Sequence, residues 1–372
     1  MIRILHVVSN MGCGGVQQML MNYGRHAARE GIRFDFLVTK PGLHDAEAAG
    51  GGGRIFRAPG FQHPAAYVRY VEELLAAHPE YRIIEGHNGM LQAFALGAAK
   101  RIGVPVRIAH AHATAIPTDA HTALKWPLRP MVRALSTHKW ACCDRAGVFF
   151  FGERRWRSEG RIVRNAVDAR RFAFDPAARR AMRLRMGWEN RLVVGHVGRL
   201  CHEKNQARLL DIFAQIRRLR PDAVLALVGE GADEAMLRGR AARLGVSGAV
   251  CFAGMQEETA AWYGAMDVLV MPSRAEGLPL TAVEAQASGL PCLLSTGITE
   301  EAALTGHVRF LPLSEEDARW VEQAVSLAGM RREDGACAVI QAGYGIAGEA
   351  EKLAAAYMRL YEEAMPAERS MP

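Results

Sequence analysis

The stretch 273-SRAEGLPLTAVEAQASG-289 decides how this chain is read. Glu276 and Glu284 stand in it with seven residues between them. The apolar run before it, ending in Met271-Pro272, reads as a buried strand. A Gly-Leu-Pro turn follows, then an Ala-rich stretch of helical character that stops at Gly289. The order is strand, acidic loop, helix N-terminus. Glu276 then belongs to the loop, and Glu284 lies a turn or more into the helix. Free backbone N–H groups and a partial positive charge at a helix N-terminus favour a phosphate. Two carboxylates do not belong against that phosphate. They fit hydroxyl groups instead, as on a sugar and a ribose.

Working outward, 372 residues is long for one domain and comfortable for two. Half the residues are hydrophobic and 23% are charged, as in ordinary globular proteins. No apolar run approaches the length of a membrane-spanning helix. The opening MIRILHVVSN reads as a first strand rather than a signal peptide. Seven cysteines (Cys13, Cys142, Cys143, Cys201, Cys251, Cys292, Cys337) show no framework spacing, which argues for reduced thiols in the cytosol. Cys142-Cys143 has no second pair at zinc spacing.

The net charge of +7 is unevenly spread. Lys100 to Arg185 holds 19 Lys/Arg against 6 Asp/Glu, a balance of +13, so the remainder sums to −6. No nucleic-acid-binding motif accompanies the basic half. Trp126, Trp140, Phe149-Phe150-Phe151 and Trp156 are interleaved with these cations, as suits a patch on an anionic membrane surface. A solvated basic face over core aromatics is the other reading.

Strand and helix patterns alternate along the chain, which predicts doubly wound parallel sheets. Ile2 to Val8 is a buried strand; a glycine turn with Gly12, Gly14 and Gly15 leads into a helix. Gln17 stands at the last position of a dinucleotide fingerprint, so a nicotinamide site is disfavoured. Further strands end at 85-EGHN-88 and at His110-Ala111-His112, and polar residues at such ends line the ligand crevice, so His87, Asn88, His110 and His112 are expected to face it. Two histidines alone are a thin metal-ligand set, so no metal is expected there. Gly50 to Gly53 reads as a flexible loop. Asp175 is placed as N-cap of a helix from Ala177 to Met186, with Pro176 at its first position. The strand Leu192–Val197 ends at Gly198-Arg199, and Lys204-Asn205 starts the next helix. Arg199 and Lys204, across one strand-to-helix loop, are able to converge on a diphosphate. Trp262, Tyr263 and Met266 are assigned to the core.

The E-x7-E spacing in its strand–loop–helix setting resembles the retaining glycosyltransferases of family 4, which have the GT-B fold. Gly14-Gly15, Asn165-Ala166-Val167-Asp168 with Phe172, and Gly198-Arg199-x4-Lys204 match the family's segments, with Ala166 in place of the usual glycine. The opening ILHVVSNMGCGG, the His-Ala-His end and the Glu-Ala-Gln-Ala-Ser-Gly-Leu-Pro run together look like capsular or exopolysaccharide transferases. The resemblance implies an α/β architecture of two Rossmann-like doubly wound domains facing across a cleft. The first is expected over 1–172, with a returning C-terminal helix in 347–372; the second, nucleotide-sugar-binding domain over 173–346.

It also implies site roles. Arg199 and Lys204 hold the donor diphosphate, with Gly277, Leu278 and the helix N-terminus behind them. Glu276 takes donor-sugar hydroxyls and Glu284 the ribose. Gly14 and Gly15 let the backbone approach donor or acceptor. His110 lies near the donor sugar and the attacking hydroxyl, with His112 in reserve; a plain structural role for either is the alternative. The expected activity is metal-independent transfer of a hexose from a nucleotide sugar, UDP first, to a glycan or polyprenyl-diphosphate-linked hydroxyl. Domain closure would exclude water. The expected setting is bacterial surface polysaccharide synthesis in the cytoplasm, at the inner face of the plasma membrane. No cofactor is expected. Alternatives are a GT-B sugar-nucleotide epimerase, which lacks E-x7-E, and a non-catalytic nucleotide-sugar-binding partner of an assembly complex.

Overall fold

A computed structural model describes residues 1–12, 14–114 and 126–365. The chain forms two compact units: residues 1–166 with the chain from 346 onward, and residues 167–345. The expected boundaries at 172/173 and 346/347 therefore move to 166/167 and 345/346. The reason is local. Val167 N–H donates to the Tyr344 carbonyl at 2.9 Å, and Val167 bridges Gly345. Phe172 packs against Tyr263 with ring centroids 6.0 Å apart, so this segment belongs to the second unit.

Seven strands build the first sheet: β1 (Ile2–Val7), β2 (Ile32–Val38), β3 (Ile55–Arg57), β4 (Ile83–Gly86), β5 (Val106–Ala111), β6 (His138–Ala141) and β7 (Gly160–Ile162). Their order is β3-β2-β1-β4-β5-β6-β7, and every pairing is parallel. The order reverses between β1 and β4, which makes that edge the ligand crevice of a doubly wound sheet. Ile4, Leu5, Ile83, Ile84 and Ile108 are buried, as expected for strands covered on both faces. Asp35 is a buried charge in β2. It receives Arg3 through two bonds of 2.6 Å, Tyr81 Oη at 2.7 Å and the Arg54 N–H at 2.6 Å. The last helix, Ile346–Ala364, returns to this unit as expected, with Tyr357 fully buried.

The second sheet has six parallel strands: β8 (Val193–Val197), β9 (Val224–Val228), β10 (Val250–Gly254), β11 (Val268–Met271), β12 (Cys292–Ser295) and β13 (Val308–Leu311). The order β10-β9-β8-β11-β12-β13 reverses between β8 and β11. Asp175 caps the helix Pro176–Met186 by accepting from the Ala177 N–H at 2.7 Å, as its position predicts. Two expectations change. The Gly50–Gly53 run ends a short helix, Asp45–Gly50, and Gly53 packs so closely that a Cβ there would lie 2.6 Å from the Phe34 carbonyl oxygen. In the basic stretch, Trp140, Phe150, Phe151 and Trp156 are core residues, and Trp156 Nε1 donates to Asp144 at 2.7 Å. They do not form an interfacial patch. Residues 115–125 of that stretch lie outside the described residues, and only the backbone of Trp126 is described.

Asp35→Ala should cost about 3–5 kcal/mol in chemical denaturation, because Arg3 and Tyr81 would lose their buried acceptor. A loss under about 1 kcal/mol would mean that this cluster does not hold β2 in place.

Candidate active site

The stretch 273–289 follows β11, next to β8 at the switch point of the second sheet. The loop after β8 runs through Arg199 to a 3₁₀ turn, His202–Lys204. The helix then begins at Gln206 rather than Lys204, because Asn205 takes a left-handed conformation with φ 56°. Its side chain joins the two loops. Asn205 Nδ2 donates to the Pro272 carbonyl at 3.0 Å, and its Oδ1 accepts from Arg274 Nη2 at 3.3 Å. The Arg274 N–H donates to the Glu203 carbonyl at 2.8 Å. These bonds bring Lys204 Nζ to 2.5 Å from Glu276 Oε2, both side chains largely shielded from solvent. The loop after β12 supports Glu276 from behind: the Glu276 N–H donates to the Gly297 carbonyl at 3.1 Å. A Cβ at Gly297 would lie 2.4 Å from the Arg274 carbonyl oxygen, so only glycine permits this approach.

Below this loop, His196 is fully buried in β8. Burial pushes its imidazole down to about 4, against the raising effect of the Val270 carbonyl. The ring is therefore neutral. Nδ1 lies 2.9 Å from the Val270 oxygen and donates to it; Nε2 lies 3.2 Å from Gln206 Nε2 and accepts. Gln206 Nε2 also donates to the Arg199 carbonyl at 2.8 Å. This chain of bonds ties β11, β8 and the first turn of the helix together. The Arg199 side chain is exposed and has no ion pair among the described residues. Gly229, at the end of β9, has φ 129°, and a Cβ there would lie 2.2 Å from the Gly198 carbonyl oxygen. The loop carrying Arg199 thus packs on bare backbone.

Glu284 sits in the helix Leu280–Ala287, one turn in, and is buried. Gly277 and Leu278 precede that helix as buried loop residues. The Tyr263 hydroxyl donates to Glu284 Oε2 at 2.8 Å. Burial pushes the Glu284 carboxyl up to about 7; the Tyr263 bond and the Arg171 charge pull the other way. The two glutamates are thus held differently, one by an ammonium group and one by a phenol. Tyr263 is a core residue as expected, and it also positions Glu284.

In the first unit, Gly14 is the N-cap of the helix Gly15–Ala27, whose first turn carries no acidic residue. His110 lies within β5 rather than at its end, and is 1% exposed. His112 follows the strand and is half-buried as a residue. His110 Nδ1 lies 2.7 Å from Glu85 Oε1, and the Tyr357 hydroxyl donates to Glu85 Oε2. His87 joins His6 (Nε2 to Nδ1, 3.0 Å) and His112 (Nδ1 to Nε2, 3.0 Å). Burial pushes His110 down to about 3 and His6 to about 4, and puts His87 and His112 well below the ordinary histidine value. It raises the Glu85 carboxyl.

Sequence reasoning missed Asn205, Gln206, His196 and Glu85 as parts of these sites. A signal existed for two of them. His196 and Glu85 are polar residues inside apolar strand runs, where an unpaired polar group is costly.

Two doubly wound sheets, each with polar side chains at its switch point, define a two-domain α/β protein of GT-B architecture. Residues 180–308 match the model of the family described as glycosyl transferases group 1. EpsF of Bacillus subtilis (strain 168), a glycosyltransferase by name, is 34% identical over 340 residues, covering 89% of this chain and 88% of EpsF. The chain belongs to the group 1 glycosyl transferases. Its fold is similar to that of Alr3699/HepE of Anabaena, solved in complex with UDP-glucose: TM-score 0.80, 18% identity, with 96% of this chain and 100% of that one covered. It is also similar to WaaG, a glycosyltransferase involved in lipopolysaccharide biosynthesis: TM-score 0.70, 17% identity, coverage 97% and 98%. No helix among the described residues is long and apolar enough to cross a membrane.

The raised Glu284 carboxyl predicts a pH effect. Between about 4.5 and about 7 the folded state keeps a proton that the unfolded state releases. Stability must then fall as pH rises through that window, by up to about 3 kcal/mol. Glu284→Gln should remove this slope and be more stable than the parent at pH 8. An unchanged slope in denaturation curves from pH 4.5 to 8 would contradict the assignment.

Proposed function

We propose that the chain transfers a hexose from a nucleotide sugar to a hydroxyl of a glycan or lipid-linked acceptor, with retention of anomeric configuration. The observation that carries this reading is the 2.5 Å contact between Lys204 and Glu276 at the switch point of the second sheet. It sets a cation and a carboxylate side by side where a doubly wound sheet binds its ligand. Departure of a nucleoside diphosphate builds negative charge. Lys204, Arg199 and the helix N-terminus after Gly277 and Leu278 would stabilise it, an electrostatic contribution on the order of 3 kcal/mol per well-placed donor. The ammonium group has three donors, so it can keep Glu276 and still reach a phosphate oxygen. On this reading the diphosphate needs no metal ion.

Glu276, shielded and held by Lys204 and the Gly297 carbonyl, would accept from donor-sugar hydroxyls. Glu284, when ionised, would accept from ribose hydroxyls in place of Tyr263. UDP is the preferred base, supported by the UDP-glucose bound in the Alr3699/HepE structure. Neither glutamate is proposed as a nucleophile; attack by the acceptor from the leaving-group face accounts for retention without one. A role in bacterial surface polysaccharide synthesis is supported by the likeness to WaaG. The exposed Arg154, Arg155 and Arg157 would meet anionic headgroups at the inner face of the membrane. In the first unit, Gly14 and Gly15 would let an acceptor or donor approach the backbone, and His112 rather than the buried His110 would meet it.

Lys204→Ala should weaken nucleoside diphosphate binding by about tenfold or more in a calorimetric titration, the worth of one charged hydrogen bond. Glu276→Ala should remove transfer, read as nucleoside diphosphate release in the presence of acceptor, while the protein stays folded. Unaltered affinity in the first variant would refute the diphosphate site; unchanged turnover in the second would refute the sugar contact.

A further inference from the structure

The switch point of the first sheet holds a histidine cluster of which the proposed sugar transfer uses only His112. His110 lies in β5 and His112 one residue past its end. Their rings stack with centroids 4.2 Å apart. Gly86 of β4 pairs with Ala109 of β5, which brings His87 to the same place. Its ring centroid lies 5.1 Å from that of His110 and 5.3 Å from that of His112. One nitrogen from each of the three lies within 4.8 Å of the others.

We propose that His87, His110 and His112 form a binding site for a divalent transition-metal ion, with Zn²⁺ as the first candidate. Two histidines in the sequence were too few; the fold supplies the third. Three imidazole nitrogens are a set that zinc takes with a fourth position left for water or a bound oxygen. The outer contacts suit it as well. Glu85 Oε1 accepts from His110 Nδ1–H at 2.7 Å, and the Tyr357 hydroxyl donates to the other carboxylate oxygen. That leaves His110 Nε2 as a bare lone pair, buried and without a hydrogen-bond partner among the described residues. His6 Nδ1, 3.0 Å from His87 Nε2, can accept a hydrogen bond from that N–H and leave His87 Nδ1 as the ligand atom. A carboxylate or a second acceptor behind a ligating imidazole sets its tautomer and raises its basicity. The lone pair at His110 Nε2 would then have a use that no neighbouring side chain provides.

A second group, His6, Glu85 and His87, is equally close-set, but all three of its members are buried. The first group includes His112, which lies just past the last residue of β5, at the crevice end of the sheet. The proposal does not depend on the sugar-transfer reading, because its test measures metal alone.

The full chain, stripped with chelator, is titrated with Zn²⁺ in a calorimeter and with Co²⁺ by visible absorption. One ion per chain is expected. His112→Ala, at a half-buried position, should weaken binding by about a hundredfold or abolish it, while circular dichroism stays native. Glu85→Gln should weaken it by about 10–100-fold, the usual effect of losing such an outer contact. His6→Ala should keep one ion per chain. Absence of Zn²⁺ binding, or binding unchanged in His112→Ala, would overturn the proposal. So would binding lost in His6→Ala and kept in His112→Ala, which would assign the ion to the buried group.

Discussion

The ion pair between Lys204 and Glu276 is the constraint around which the second unit is arranged. A lysine and a glutamate far apart in sequence meet at 2.5 Å because β8 and β11 are neighbours where the strand order reverses. The pair is shielded from solvent, and an isolated ion pair in such a place is weak evidence for stability. Its surroundings are costly to build. Asn205 adopts a left-handed backbone to reach Pro272, and Gly297 and Gly229 leave out a side chain so that loops can touch. Such expenditure of backbone strain and close approach is characteristic of sites that must hold a ligand in one geometry.

Charge is handled differently in the first unit. Among the described residues, His6, His87 and His110 lie within 4 Å of one carboxylate, Glu85, with His112 against His87 and His110, and burial keeps the rings neutral. Asp35, in the same sheet, is held by the guanidinium of Arg3. Glu85 is held instead by His110 and by Tyr357 from the last helix. The returning helix is therefore part of that cluster as well as of the core. The two switch points are chemically distinct: one presents fixed cations, the other neutral nitrogen donors.

Much of this was legible in the sequence. Val224–Val228 and Val268–Met271 are apolar runs, and the structure has strands at those positions. Asp175-Pro176 marked a helix start, and its cap bond is present. The E-x7-E stretch placed Glu276 in a loop and Glu284 in a helix, as found. Less was legible where short or edge elements were concerned: β3, β7 and β13 have three or four residues and each includes an arginine, so no apolar period marks them. Contacts between distant residues were not legible at all. Nothing in the local pattern joins Tyr263 to Glu284, Asn205 to Pro272 or His87 to His112; these follow from strand order. The aromatic run at 149–151 was open to two readings because core and interfacial aromatics have the same composition, and packing decided it for Phe150 and Phe151.

The central claim is that the donor's diphosphate is bound at the β8–β11 switch point. A crystal structure of the full chain with UDP tests it most directly. The account predicts phosphate oxygens within hydrogen-bond reach of Lys204 and Arg199, with the ribose hydroxyls on Glu284 and the Tyr263 hydroxyl displaced from it. A diphosphate seated away from Lys204, with the Lys204–Glu276 and Tyr263–Glu284 contacts undisturbed, would contradict it.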